Sequence, residues 1–170
     1  PQTMHMLGIS SDRMDFKEWA RIFPASRGPL YHLPAMKPTA TGKAMVRLNY
    51  KSSPEDLKLW LERIDEIIEA RGDRKGLIHT VSYHRQKYLL EKSRFRDRMM
   101  GNTTDPDSEN SQEIFERFKK ESAPAIMVSP SFSTGWDFAG PLAEYQILAK
   151  VPFPPSVSKV IQARKDRDPR

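Results

Sequence analysis

The 170-residue chain contains no cysteine. Disulfides, thiolate zinc sites, iron–sulfur ligation and cysteine nucleophiles are therefore excluded within it. It lacks an apolar run near the roughly eighteen residues that a bilayer crossing requires, and it lacks the charged, apolar and small-residue series of a signal peptide. A soluble, cytoplasmic protein without a membrane partner is the expectation. Complete phosphate and nucleophile signatures are also missing. Around Thr41-Gly42-Lys43-Ala44, Lys37 stands where a P-loop has its first glycine and Ala44 where it has a hydroxyl. Ser133 is flanked by Phe132 and Thr134, with Ser131 in place of the first glycine of a hydrolase elbow. His79 and His84 have no paired carboxylate at ligand spacing, so no metal site is expected, and Met99 and Met100 read as strand core.

What remains is sufficient for a folded core. Hydrophobic residues make up 38% and charged residues 29%, at the polar end of the globular range, and the length suits one domain. We expect a single domain over 1–170, with an irregular leading segment at 1–52 and an α/β core at 53–170. The net charge is +6, and nine Lys or Arg against three acids between positions 71 and 98 account for all of it. The stretch 55–69 is acidic instead, with an excess of four negative charges. One basic side suits a polyanionic partner, with Arg74, Lys75 and Arg85 as candidates for neutralising phosphates.

Leu57, Trp60, Leu61, Ile64, Ile67 and Ile68 recur at three- and four-residue steps and predict an amphipathic helix over 54–71. Ser53 is its expected cap and Gly72 its left-handed stop. Residues 76–81 read as a buried strand, and Ser82 as the N-cap of a helix reaching about position 92. A strand at 95–100, a polar loop at 101–110, a helix at 110–122, strands at 125–129 and 144–150, and a helix at 156–165 complete the core. Within 1–52, a strand around 30–33 and a flexible stretch at 38–42 are expected. This alternation calls for a mostly parallel sheet covered by helices, the α/β class.

In such sheets, ligands gather at the carboxyl ends of strands. Two loops qualify here. Thr80-Val81-Ser82-Tyr83-His84 places hydroxyls and an aromatic ring at a helix N-terminus, which favours phosphate, although the spacing alone favours a plain capped helix with Tyr83 in the core. Residues 129–140 form a long connection with Trp136 and two phenylalanines as anchors, four hydroxyls, Gly135 and Asp137. By composition this is either a binding loop or a tucked Ω-loop.

The blocks Gly76-Leu-Ile-His-Thr-Val-Ser-Tyr83, Phe115 to Lys119, Ser131-Phe-Ser-Thr-Gly-Trp-Asp-Phe138, Ala149-Lys-Val-Pro-Phe-Pro154 and Ala163-Arg164 occur in this order. Together they resemble the second motor domain of DinG-like and XPD-like superfamily-two DNA helicases, and His5-Met-Leu-Gly8 is similar to the segment that opens it. The resemblance implies a RecA-like domain, truncated at both ends, that closes on a first motor domain to sandwich ATP while single-stranded DNA crosses both. It assigns Ser82 and Tyr83 to the family's motif IV and 131–138 to motif V. Ser131, Ser133 and Thr134 then face DNA phosphate, and Gly135 and Asp137 the nucleotide; many relatives carry an acid in place of Thr134. ATP and magnesium would be held mainly by the first motor domain, as would any iron–sulfur cluster of the parent. The isolated chain, lacking that domain, is expected not to hydrolyse ATP. The competing readings are a non-catalytic single-stranded nucleic-acid-binding α/β domain and a stand-alone nucleotide-dependent enzyme.

Overall fold

The computed structural model describes residues 17, 19–20, 22, 24–49, 51–102, 109–132, 135–151 and 159–167, apart from the side chains of 164 and 165. The chain divides into two compact units, Pro1–His32 and Leu33–Arg170. In the first, the described residues are irregular except for one 3-10 turn, Ala25–Arg27, closed by the Arg27 N–H on the Pro24 carbonyl.

The second unit begins with an antiparallel hairpin of β1 (Met36–Thr39) and β2 (Gly42–Met45). Residues 30–33, expected as a strand, form none, and the stretch expected to be flexible is the hairpin's end and turn. Gly42, at φ 134°, takes a backbone conformation that a side chain would resist.

Helix α1 (Pro54–Glu69) starts where the sequence expects it. The Ser53 hydroxyl accepts from the Asp56 N–H, Pro54 occupies the first turn, and Glu55 and Asp56 face the positive end of the dipole. Trp60, Leu61, Ile64 and Ile68 form its buried stripe, and Gly72 follows it at φ 57°. Next come β3 (Gly76–His79), α2 (Tyr83–Lys92), a 3-10 turn (Arg96–Arg98) and β4 (Met99–Met100). The strand expected from position 95 is thus mostly a turn, with Phe95 held between the guanidinium groups of Arg94 and Arg98, 5.2 and 5.3 Å from its ring. Helix α3 (Ser111–Lys120) opens on a capping box between Asn110 and Glu113. It leads to β5 (Ile126–Ser129), a 3-10 turn (Gly140–Leu142), β6 (Tyr145–Leu148) and α4 (Lys159–Arg167).

The sheet order is β4-β5-β3-β6, and every pairing is parallel. Side chains alternate between its faces. Ile78, Ile126, Val128 and Ile147 pack with the α1 stripe and Leu89 of α2, whereas Leu77, Ala125 and Met127 pack with Ile114, Phe115 and Phe118 of α3. Both faces are therefore covered, as a parallel sheet requires, and the arrangement is a RecA-like α/β fold. The carboxyl ends of β3 and β5 lie side by side, with His79 opposite Ser129.

Candidate functional site

Two loops leave this pair of strands. After β3, Thr80 is fully buried and its hydroxyl donates to the Ser82 carbonyl at 3.2 Å. Val81 then turns at φ 66°, a left-handed conformation unusual for a β-branched residue and of the kind that collects at binding sites. Ser82 caps α2, its oxygen accepting from the Arg85 N–H at 3.4 Å. Its hydroxyl proton remains available to a ligand. Tyr83, expected in one reading to be core, is 39% exposed, so its ring stands at the surface beside the helix start.

After β5, the long loop is fastened by aromatics. Phe132 is buried, and Phe132 and Trp136 meet edge to face at 4.6 Å. Trp136 and Phe138 each approach Phe115 of α3 at 5.1 Å. The expected anchoring is present, and it leaves Ser131, Gly135 and Asp137 exposed. Gly135 takes φ 80° with open space where a Cβ would stand. The Asp137 carboxylate accepts no hydrogen bond from any described residue and enters no ion pair with one, so a turn-capping role has no geometric support there. Ser133 and Thr134 lie outside the described residues.

The two loops are joined by a residue that the sequence reading passed over as the start of a polar loop. Asn102 is 4% exposed. Its amide nitrogen lies 3.1 Å from the Tyr83 hydroxyl, 3.1 Å from Ser111 Oγ and 3.3 Å from Ser131 Oγ. Its side-chain oxygen accepts from Ser129 Oγ at 2.8 Å, and Ser129 Oγ in turn accepts from the Ser131 N–H at 3.0 Å. Gln86 of α2 holds Asn102 in place by donating to the carbonyls of Asn102 and Val128, both at 2.7 Å. Gly101 makes this approach possible, since a Cβ there would meet the Val128 carbonyl oxygen and the Gln86 amide. No local pattern in the sequence marks this role, because Tyr83, Ser129 and Ser131 reach Asn102 from other elements.

The basic candidates are not gathered in one place. Arg74 and Lys75 precede β3 whereas Arg85 follows its carboxyl end, a separation of about 13 Å along a four-residue strand. Arg74 is exposed. Lys75 corrects the expectation of a phosphate-facing cation: it is buried, and its ammonium donates to the Phe118 and Glu121 carbonyls, both at 2.7 Å, closing the C-terminus of α3. Burial pushes its pKa down, with the negative charge of Glu121 opposing. Arg94 is engaged with Glu69 at 2.8 Å. Arg85 is 8% exposed, and among the described residues its guanidinium has no hydrogen-bond acceptor and no carboxylate.

Among the described residues, no helix is long and apolar enough to cross a membrane, and no three His, Asp or Glu side chains gather where they could hold a metal ion. No curated protein and no solved structure matches the chain. The family of the helicase C-terminal domain matches residues 64–168, which include the end of α1 from Ile64, the whole four-stranded sheet, both loops and the Asn102 junction. The match spans more than half of the sequence, and the chain belongs to the helicase C-terminal domain family.

Proposed function

We propose that the chain is the second motor domain of an ATP-dependent DNA helicase of the DinG-like and XPD-like, DNA-repair type. The observation that carries this reading is the convergence of Tyr83 and Ser131, one from each loop, on the amide of Asn102. A strand laid along the carboxyl ends of β3 and β5 meets an exposed aromatic ring, the free N–H groups of a helix start and two serine hydroxyls, a surface suited to backbone tracking and stacking. Ser82, Tyr83, Ser131, Ser133 and Thr134 are its DNA contacts, with Arg85 nearby. Arg74, on the opposite edge, contributes at most to long-range attraction.

Gly135 and Asp137 form one wall of the nucleotide cleft. The donor set here fits a wall and not a complete ATP site, so ATP and magnesium are assigned mainly to a first motor domain of the same parent. A cytoplasmic setting follows from that role.

The test is binding of a fluorescent single-stranded oligonucleotide to the 170-residue chain, followed by anisotropy. Weak, sequence-tolerant binding that falls steeply as salt rises is expected, and Tyr83→Ala should weaken it by about 1–3 kcal/mol through lost stacking. Absence of binding at low salt overturns the reading.

A further inference from the structure

Asn102 is buried between the two loops, and its neighbours fix which of its side-chain atoms donates. The Gln86 amide nitrogen lies 2.7 Å from the carbonyls of Asn102 and Val128, so that end of Gln86 is the donor. The same nitrogen is 3.5 Å from the Asn102 side-chain oxygen, which is therefore correctly an acceptor, and the Asn102 amide nitrogen faces the hydroxyls of Tyr83, Ser111 and Ser131. An amide nitrogen accepts nothing. Any hydroxyl bonded to it is the acceptor in that bond and must send its own proton elsewhere.

For Ser129 and Ser131 an internal destination exists. Ser129 Oγ donates to the Asn102 oxygen at 2.8 Å, and Ser131 Oγ lies 3.0 Å from Ser129 Oγ, within reach of donating to it. Tyr83 has no such outlet: among the described residues its hydroxyl bonds to Asn102 alone, and the residue is 39% exposed. Its proton is left for solvent or a ligand.

We propose that Asn102 is a positioning residue, which holds the Tyr83 ring in place and makes its hydroxyl an obligate donor towards an acceptor on the bound strand. This rests on the nucleic-acid reading above; the new element is a buried amide that touches no strand yet decides what the exposed ring offers one. A ring already held loses less freedom on binding, and a hydroxyl of fixed sense discriminates against ligand groups that can only donate. The same amide reaches Ser131, so an acceptor in its place would reverse the bonds to both loops together.

The experiment is a double-mutant cycle on the 170-residue chain, read by anisotropy of a fluorescent oligo-thymidine and, in parallel, by thermal melting. Asn102→Asp keeps the size of the side chain and the acceptor for Ser129, but gives Tyr83 an acceptor where it had a donor, so the tyrosine proton turns inward. Binding should weaken by about tenfold. Tyr83→Phe keeps the ring and removes only the hydroxyl, and should weaken binding by about threefold. In the Tyr83→Phe background, Asn102→Asp should weaken binding by no more than about threefold further, because no hydroxyl is left to reverse. Equal losses from Asn102→Asp in both backgrounds overturn the proposal, since lost stability or added negative charge acts alike with and without the hydroxyl. Tyr83→Phe binding as tightly as wild type overturns it independently, even where Asn102→Asp melts too low to be measured. In both cases wild-type binding leaves the nucleic-acid reading standing, whereas failure of the wild-type chain to bind the oligonucleotide overturns that reading and this one with it.

Discussion

His79 ends β3 with its ring almost out of solvent and its Nδ1 without a partner. Burial holds its pKa below the ordinary 6.5, against a smaller opposing hydrogen bond from Gln146. Because the unfolded chain takes up this proton more readily, stability is greatest above about pH 6.5 and declines as the pH falls below it, by about 1.4 kcal/mol for each unit separating the two pKa values. The melting temperature should therefore drop between about pH 8 and pH 5, and His79→Gln should flatten that drop; an equal drop in the variant would place its origin elsewhere. Asp137 presents the opposite case, an exposed carboxylate with no described partner. Asp137→Ala should leave stability within about 0.5 kcal/mol, as for surface positions generally, while lowering DNA-stimulated ATP turnover in the parent helicase far more than DNA affinity. Melting of the chain and turnover of the parent, with and without DNA, check the two halves of that statement.

At the scale of single elements, the caps and periodicities were legible because they depend on neighbours a few residues away. Ser53 and Ser82 cap the helices they precede, and the stripe from Trp60 to Ile68 faces the sheet; Asn110, read only as the boundary between the polar loop and its helix, caps α3 as well. Ser82→Ala should lower stability by about 1 kcal/mol and Ser82→Gly by only a few tenths, measured by denaturant unfolding; equal losses would mean that the hydroxyl is not acting as a cap. What sequence could not supply was pairing at long range. The hairpin of β1 and β2 was missed because strand-disfavouring Pro38 and Gly42 lie in it, and the pattern of 95–100 gave no sign that Phe95 would be enclosed by two arginines. Lys75 misled for a related reason. A run of basic residues is solvated by default, and only the approach of the α3 C-terminus, over forty positions away, gives its ammonium two carbonyls.

For the whole molecule, the alternation of elements was sufficient to indicate a covered parallel sheet, and the loops that the sequence singled out do leave neighbouring strands. The residue connecting them was not legible, since nothing within ten positions of Asn102 reveals that Tyr83, Ser129 and Ser131 will surround it. The proposed division of work between two motor domains leads to one further expectation. The 170-residue chain should show no ATPase rate above blank, with or without DNA, because phosphoryl transfer needs a phosphate cradle and a metal site, and no cluster of metal-binding side chains occurs among the described residues. Measurable turnover in a preparation free of other helicases would exclude its role as a second motor domain. Within the domain, the Asn102 amide carries two hydrogens yet faces three oxygens, on Tyr83, Ser111 and Ser131. One acceptor is always in surplus. If an arriving ligand draws the tyrosine away, both hydrogens still have takers in Ser111 and Ser131, so the exchange strands no buried donor. The junction behaves as a hand-over point with a spare grip, able to release the Tyr83 ring while Gln86 keeps α2 in place and the long loop stays fastened to α3.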